Sequence, residues 1–600
     1  MVWNVLVTDR YFGCINSIVL LVYNRIRMSW IDWVVLFGTL IFIVAYGVYK
    51  TRGKKDIDNY LRGGDDSKWW AIGLSIMATQ ASAITFLSTP GQAYTDGMRF
   101  VQYYFGLPIA MIIISVFFLP IYYRAKVYTA YEYLESRFDL KTRMLAAFIF
   151  LIQRGLAAGI TIYAPSIILS SLLGWPLQAT TIVIGILVII YTVSGGTAAV
   201  TQTQKQQMAV MMGGMIIAGI LVIYSLPSGV GFGDALDVAG KMEKLNVITF
   251  DFNLEDRYNI WSGLTGAVFL FMSYFGTDQS QVQRYLSGKT LSESRLGLMM
   301  NGLLKVPMQF IILLIGVLVF VYYQYNQPPV FFNDNLTEQV MSTEYADDFR
   351  DLEADYMDIF NAKRETVLQL NEAIEAGDET IITDVQTQLN ALQKDSDNIR
   401  AEAKALVSTA LPGAETNDKD YIFMTYVMDV LPVGIVGLLF AVIFSAAMSS
   451  TSSELSALGS TTTIDFYKRR INQGQTDTHY LKSSKLFTLS WGIIAIIFAS
   501  TLSLFENLIQ AVNLIGSLFY PTVLGIFVVA FFFKKIRSNA VFMGAILSQA
   551  VIILVHYLNT IGEAGAFTMG FLWYNALGCI LVVLFSYIFN LVKPEKPLAA

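Results

Sequence analysis

The sequence predicts an all-α integral membrane protein with about thirteen transmembrane helices. Of its 600 residues, 54% are hydrophobic and only 14% are charged, which is more apolar side chain than one soluble core can bury. The apolar residues also gather in long uninterrupted runs, as a chain dissolved in a bilayer requires. Because hydrocarbon cannot hydrogen-bond exposed backbone groups, each run is expected to cross the membrane as a helix.

Each predicted span is an apolar run long enough to cross about 30 Å of hydrocarbon. In chain order, hydropathy places these runs at residues 31–49, 68–93, 101–121, 143–171, 177–194, 205–228, 260–284, 297–325, 432–460, 485–503, 508–533, 538–557 and 570–592. An odd number of crossings puts the two ends of the chain on opposite sides of the membrane.

The connecting loops carry an uneven distribution of positive charge, which predicts the orientation. The basic residues that fall on one side are Lys50, Arg52, Lys54, Lys55, Arg124, Lys126, Lys468, Arg469, Arg470, Lys534, Lys535 and Arg537. We expect that side to be the cytoplasm, so that the N-terminus lies outside the cell membrane and the tail 593–600 inside. Residues 1–29 form an N-terminal extension that resembles neither a span nor a cleavable signal, which makes Met28 a candidate start of translation.

One soluble segment interrupts the spans, at residues 333–420. It is acidic and has helical spacing without a wide apolar face, which predicts a solvated helical hairpin on the external side, turning at Gly377 and Asp378. The segment divides the transmembrane domain into residues 30–332 and 421–592. A surface role for the hairpin is favoured over a direct role in transport, because its acids resemble a solvated face.

Residues that would indicate an enzyme are sparse. The two cysteines and the two histidines lie too far apart in sequence to predict a disulfide framework or a metal site; they are Cys14, Cys579, His479 and His556. The sequence also shows no nucleophile–base pair and no phosphate-binding loop. We therefore predict neither an enzyme nor a nucleic-acid-binding protein.

Two polar segments inside the predicted spans point to function. Residues 78–91 read ATQASAITFLSTPG, which is small and hydroxylated in mid-membrane and predicts a discontinuous helix. Residues 445–453 read SAAMSSTSS, a density of hydroxyls that must face protein or an ion. Carbonyls freed at a helix break, together with serine hydroxyls, would suit a sodium ion. The alternative is that these small residues only let the helices pack closely.

Several motifs spread along the chain resemble those of the sodium/solute symporter family, which includes the bacterial sodium/galactose transporter and the iodide, monocarboxylate and multivitamin transporters. The motifs are residues 69–75 (WWAIGLS), 118–124 (FLPIYYR), 131–138 (YEYLESRF), 195–196 (GG), 279–284 (QSQVQR), and Ser449-Ser450 leading to 465–468 (DFYK). The resemblance covers nearly all of residues 30–592 outside the acidic insertion.

The resemblance implies a LeuT-like core of two inverted five-helix repeats, here residues 68–228 and 260–533, which rock around a midplane site. It also implies a sodium site built from the backbone carbonyls of Ala78, Ala81 and Ala446 and the hydroxyls of Ser449 and Ser450. The tyrosine of the family's inner gate matches Tyr274.

The substrate pocket follows the family less closely. Lys305 matches a sugar-contacting lysine, but the other sugar-contacting positions match Thr85, Tyr104, Leu107 and Phe271, so that pocket is mostly lost. We expect the pocket to include Gln80, Thr85, Tyr104, Phe271, Tyr274 and Lys305. A lysine among aromatic and hydroxylated side chains would suit an organic anion, while the alternative is a structural tie between Lys305 and an acid or a helix end.

Three further residues are candidates for ion coupling. Where some family members carry an aspartate that binds a second sodium, this chain has Gln204, followed by Lys205. Glu454 lies one helical turn beyond Ser450, in a span that tolerates acids poorly. Our hypothesis is that Lys205 and Glu454 form an ion pair between the two repeats, whereas Arg154 is interpreted as a packing or pairing charge.

The sequence therefore predicts a sodium-coupled secondary active symporter that imports a small organic solute by alternating access. An organic anion such as a monocarboxylate is the favoured solute, and a sugar is the next. The alternative is a transporter-like nutrient sensor, against which the short cytoplasmic loops argue. The predicted partners are the solute, Na⁺ and the lipid bilayer, and the oligomeric state stays open.

Overall fold

The computed structural model describes residues 28–51, 60, 67–501, 508–561 and 568–592. The predicted extension up to residue 27, the basic residues Arg52, Lys54 and Lys55, and the tail 593–600 lie outside the described residues.

The described chain is built from α-helices. In chain order they are α1 (Trp30–Thr51), α2 (Trp69–Gln80), α3 (Ala83–Asp96), α4 (Leu140–Leu173), α5 (Leu177–Tyr224), α6 (Gly266–Gly276), α7 (Gln279–Leu286), α8 (Leu291–Tyr325), α9 (Ala346–Ala376), α10 (Glu379–Ala410), α11 (Ile435–Thr461), α12 (Asp477–Thr501), α13 (Leu508–Phe532), α14 (Ser538–Ile561) and α15 (Leu572–Val592). Further helical segments connect them at Gly97–Phe105, Gly106–Ile113, Ile114–Phe118, Leu119–Ala125, Glu132–Arg137, Phe232–Lys241, Ile260–Leu264, Asp334–Val340, Lys419–Val430 and Thr462–Ile471.

By length and composition, eleven helices of the described chain can cross a membrane, or up to twelve with the bent pair Ile260–Gly276 and Gln279–Leu286. The sequence predicted about thirteen spans. The counts differ in part because α2 has only 12 residues and because Ala83–Ala125 is one run of 43 residues. At about 1.5 Å per residue that run is about 65 Å long, which is room for two crossings.

The long helix α5 contains a sharp bend at Gly196, which has φ +59° and ψ −174°. Its two halves, Leu177–Thr197 and Ala199–Tyr224, are therefore separate span candidates. A side chain at Gly196 would be strained by the positive φ, and its Cβ would lie 2.3 Å from the ring of Tyr60.

Helix α11 lies at the centre of the fold and contacts α1, α3, α4, α5 and α12. Its first part is large and apolar, most of its side chains from Ser445 onward are small or hydroxylated, and nearly all of the helix is buried. Asp32 of α1 accepts hydrogen bonds from the backbone N–H groups of Gly434 at 2.6 Å and Gly437 at 2.9 Å. A carboxylate at a helix N-terminus is favourable, so α1 fixes the start of α11.

The insertion forms the predicted helical hairpin from α9 and α10. Gly377, at φ +68°, makes the turn, and Asp378 caps α10 by accepting from the N–H groups of Thr380 and Ile381. At its base, Asp418 pairs with Arg400 at 2.5 Å and with Lys404 at 2.6 Å. Burial alone would raise the pKa of Asp418, but these two cations hold it below its usual value.

Candidate functional site

The second predicted span is broken between α2 and α3. In a continuous helix the N–H of Ser82 would donate to Ala78, and the N–H of Thr85 to Ala81. Instead, Ser82 donates to the carbonyl of Gln80 at 3.0 Å, and Thr85 donates to the carbonyl of Ser82 at 2.9 Å. The break therefore releases the buried carbonyl oxygens of Ala78 and Ala81 from helical pairing, as a cation site requires.

Helix α11 brings hydroxyl groups to this break. Ser449 Oγ donates to the carbonyl of Ala78 at 2.8 Å, and Ser450 Oγ donates to the carbonyl of Ala446 at 2.9 Å. All of these residues are buried. Four of the five predicted sodium ligands are thus in direct contact in pairs, and the fifth, Ala81, follows Ala78 by three residues at the break. Each hydroxyl oxygen retains lone-pair capacity for a cation.

Gln204 of α5 lies beside the same serine. Its amide nitrogen donates to the hydroxyls of Thr79 at 2.9 Å, Ser453 at 3.0 Å and Ser449 at 3.1 Å, and its carbonyl accepts from Ser75. The amide is fully buried and joins α2, α5 and α11. The amide N–H groups of Gln204 therefore lie next to the predicted sodium ligands, at a position where a second cation would need an oxygen ligand.

A cavity of about 90 Å³ adjoins the break. Ser450 lines it together with Thr79 and Ser82, so the cavity shares one residue with the predicted ion site and adjoins the others. The predicted substrate-binding residues that line it are Gln80, Thr85, Tyr104 and Tyr274.

The two remaining predicted substrate residues lie outside the cavity lining and contact one of its tyrosines. The ring of Phe271 lies 5.9 Å from the ring of Tyr104. Lys305 is fully buried, and its ammonium group lies 5.8 Å from the centre of the Tyr104 ring. Within the described chain, Lys305 Nζ has no hydrogen-bond partner. The ring of Tyr104 is therefore the contact with which a charged Lys305 could interact beside the cavity.

A buried charge cluster adjoins the cavity. Arg154 of α4 donates to Glu454 of α11 at 2.9 Å and also pairs with Asp278, which precedes α7. The hydroxyl of Tyr520 in α13 donates to Asp278 at 3.1 Å and accepts a hydrogen bond from Arg154. The guanidinium group also stacks 5.3 Å from the ring centre of Tyr274. The cluster thus joins four helices around the predicted gate tyrosine.

These features can be compared with known proteins. The sequence profile of the sodium:solute symporter family matches residues 60–344 and 398–548 of the chain. The match therefore covers more than half of the chain and leaves out residues 345–397, which form most of the hairpin. The chain belongs to the sodium:solute symporter family. The predicted family is confirmed, and sodium is the coupling ion of that family.

Individual members of the family match the symporter to different extents. The sodium/sialic acid symporter SiaT of Proteus mirabilis is 25% identical over 95% of this chain and 97% of its own length. The sodium/glucose cotransporter of Vibrio parahaemolyticus is 23% identical over 95% of this chain and 92% of its own. The sodium-coupled monocarboxylate transporter 1 of Xenopus laevis is 32% identical, but over only 45% of this chain and 43% of its own.

A solved structure supports the fold. The substrate-bound, outward-open structure of a Na⁺-coupled sialic acid symporter superposes with a TM-score of 0.71, at 24% identity, over 94% of this chain and 98% of that chain. This likeness confirms the predicted LeuT-like helical membrane fold.

One prediction about the symporter's charges is wrong. Lys205 was expected to pair with Glu454, but Glu454 pairs with Arg154. Lys205 instead donates to Gln202 at 3.1 Å and lies 5.2 Å from the ring centre of Trp70. The error arose because helical spacing placed Glu454 on α11 without showing which neighbouring helix it faces.

The sequence reasoning also missed part of the site. Arg154 is a pairing charge, as the sequence predicts, but its contacts with Asp278 and Tyr520 were not predicted. A signal was present, since an arginine and an aspartate inside predicted spans need partners or water. The sequence did not show that Arg154 and Asp278 are in contact, or that their cluster joins four helices.

Two of the family motifs meet at another charge network of the symporter. Asp465, in the motif 465–468, accepts from Arg143 Nε at 2.7 Å. Arg143 also donates to Glu135, in the motif 131–138, at 2.8 Å. Arg469 donates to Glu135 through Nε at 2.8 Å, and this bond holds the pKa of Glu135 below its usual value. The network connects the segment Glu132–Arg137 to Thr462–Ile471, the π-helical segment that directly follows α11.

Proposed function

We propose that this protein imports a small organic anion together with sodium, by alternating access between its two repeats. The observation that carries the proposal is that Thr79 and Ser82, which flank the helix break, line the same cavity as Ser450, a predicted sodium ligand of α11. A sodium ion on the carbonyls of Ala78 and Ala81 would fix the break, and the solute would bind against the same backbone. Each ligand would then favour binding of the other, which is the thermodynamic basis of coupling.

Charge supports an anion as the solute. Arg154 lines the cavity, and the Lys305 ammonium lies against Tyr104. Arg154 already pairs with Glu454 and Asp278, so the cation with which a carboxylate could pair in this low-dielectric space is Lys305. Two of the three relatives compared above are named for solutes with a carboxylate group, namely sialic acid and monocarboxylates. A sugar is the competing class, represented by the glucose cotransporter.

Breaking and re-forming contacts between the repeats would supply the alternating access. Of the cluster residues, Arg154 lies in the first repeat, while Asp278, Glu454 and Tyr520 lie in the second. The orientation that we propose puts the basic loops and the C-terminus in the cytoplasm and the hairpin outside the cell. We propose the same division as before: transmembrane domain at 30–332 and 421–592, hairpin insertion at 333–420.

The proposal is tested by uptake into proteoliposomes that hold the purified protein. An inward sodium gradient should drive accumulation of at least one labelled small carboxylate such as lactate, acetate or sialic acid, and an equal potassium gradient should not. The matched control is the double variant Ser449→Ala/Ser450→Ala, which should lose the sodium dependence. Accumulation of glucose or galactose, with no accumulation of a carboxylate, would show that the solute is a sugar and not an organic anion. Sodium-dependent solute binding without any flux would favour a receptor instead.

A further inference from the structure

The cluster around Arg154 contains more negative than positive charge. It holds two carboxylates, Asp278 and Glu454, and one guanidinium group, and their side chains are 0%, 8% and 3% exposed. A buried ion is stable only when it is paired and hydrogen-bonded. One arginine can balance one of the two carboxylates, so the cluster has an excess charge of −1 when both are ionised.

The hydrogen bonds show which carboxylate is left over. Asp278 is fully satisfied: Oδ1 accepts from the N–H and hydroxyl of Ser280 at 2.8 and 2.7 Å, and Oδ2 accepts from Tyr520 at 3.1 Å and from Arg154. Glu454 Oε1 accepts from Arg154 at 2.9 Å. Glu454 Oε2 has no hydrogen-bond partner within the described residues, although the residue is only 6% exposed and lines the cavity. The hydroxyl of Thr161 lies beside this carboxyl group but donates its hydrogen to the carbonyl of Ala157 at 3.0 Å.

No other charged side chain of the neighbouring helices is placed to balance Glu454 in the described chain. Apart from Arg154 and Asp278, the titratable groups beside it are the tyrosines 274 and 520, which are neutral in water at physiological pH. Lys205 of α5 contacts Gln202 and Trp70. Arg284 of α7 donates to Thr201, Gln283 and the carbonyl of Ser280. Lys305 of α8 contacts Tyr104.

We infer that Glu454 binds a second coupling cation, a monovalent ion that is either a proton or a second sodium. Glu454 lines the cavity one helical turn beyond Ser450, so the cation would lie close to both the first sodium and the solute. Binding would neutralise the excess charge and leave Arg154 paired with Asp278. This inference rests on the proposed function, because it concerns the coupling ions of the same transport cycle.

The second cation would change the charge that moves with the solute. One sodium with one monovalent anion is electrically neutral, so the membrane potential would not drive it. A second cation adds one net positive charge per cycle, so an inside-negative membrane potential would favour uptake. Glu454 would therefore allow the membrane potential to concentrate an anion against its own charge.

The test uses the purified full-length protein in nanodiscs, without any solute. Equilibrium dialysis with radioactive sodium counts the sodium ions bound per chain at saturation. Infrared spectroscopy at neutral pH reports a protonated carboxyl group by its C=O stretching band. The variants are Glu454→Gln, which keeps the shape of the side chain and can still accept from Arg154, and Glu372→Gln on the exposed face of α9 as the matched control.

Two results support the inference and identify the cation. Two sodium ions per wild-type chain, falling to one in Glu454→Gln, would show sodium at Glu454. One sodium ion in both proteins, with a protonated carboxyl band that only Glu454→Gln loses, would show a proton. One sodium ion and no such band in the wild type would overturn the inference while leaving the proposed function in place. Absence of any sodium would count against sodium coupling itself, and the infrared band would then decide the inference about Glu454 separately.

Discussion

The side-chain amide of Gln204 lies 3.1 Å from Ser449 Oγ and donates a hydrogen bond to it. The same hydroxyl donates its own hydrogen to the carbonyl of Ala78. Since a hydroxyl oxygen has two lone pairs, Ser449 can accept from Gln204 and still coordinate one ion. Gln204 is thus positioned to orient Ser449 toward one sodium ion. Its amide hydrogens also exclude a second sodium ion from the position that Gln204 occupies.

Replacing Gln204 by glutamate should convert this polar contact into a cation site. The isosteric carboxylate would face the hydroxyls of Thr79, Ser449 and Ser453, so the symporter should bind one sodium ion more than the wild type. Counting bound radioactive sodium measures this directly. Gln178→Glu, at an exposed position of α5, is the control. An unchanged count in a folded Gln204→Glu protein would contradict the role given to this amide.

Removing the two predicted hydroxyl ligands should abolish stabilisation by sodium at the break. At a sodium concentration 100 times the dissociation constant, one bound ion stabilises the folded state by about 2.7 kcal/mol. Thermal unfolding in sodium and in equal choline should therefore differ for the wild type, and by much less for Ser449→Ala/Ser450→Ala. Equal shifts in both proteins would place the sodium elsewhere.

Lys305→Met should weaken binding of an anionic solute without affecting sodium. The loss of a buried positive charge beside Tyr104 should raise the KM for the anion at least tenfold, or about 1.4 kcal/mol. Stabilisation by sodium alone should be unchanged, since Lys305 contacts none of the predicted ion ligands. Lys482→Met, on an exposed face of α12, is the control. If KM stays constant, Lys305 has a structural role only.

Protonation of Glu135 should destabilise the network with Arg143 and Arg469. The folded state holds the pKa of Glu135 below its unfolded value of about 4.5, so its contribution is present above that pH and is lost as the pH falls below it. Because Arg469 is half exposed, we expect a contribution of about 1 kcal/mol or less. Thermal unfolding should therefore lose more stability on acidification in the wild type than in Glu135→Gln. Parallel pH profiles would refute this, and Asp395→Asn in the hairpin should behave as the wild type.

Asp418→Asn should loosen the base of the hairpin. The substitution leaves Arg400 and Lys404 without their shared carboxylate and should cost up to about 3 kcal/mol in the stability of this contact. Limited proteolysis should then cut the loop between α10 and Lys419–Val430 faster than in the wild type. An equal rate of cleavage would show that the apolar contacts of α9 and α10 suffice.

Much of the site could be predicted because it depends on local sequence. The break at Ala81 follows from a run of small and hydroxylated residues inside a span, and the serines of α11 follow from their density. The resemblance to the family then paired the break with Ser449 and Ser450, and in the structure Ser449 donates to Ala78 at the break.

The sequence by itself determined the spans, the hairpin and the helix break, since hydropathy, helical period and local backbone chemistry are written along the chain. Only the tertiary structure decided which charges meet. Arg154 and Glu454 are 300 positions apart, and the faces that they present depend on how α4 and α11 rotate against each other. That rotation is set by packing among many helices. A charged residue in a predicted span therefore indicates that a partner is needed, but the sequence does not identify the partner.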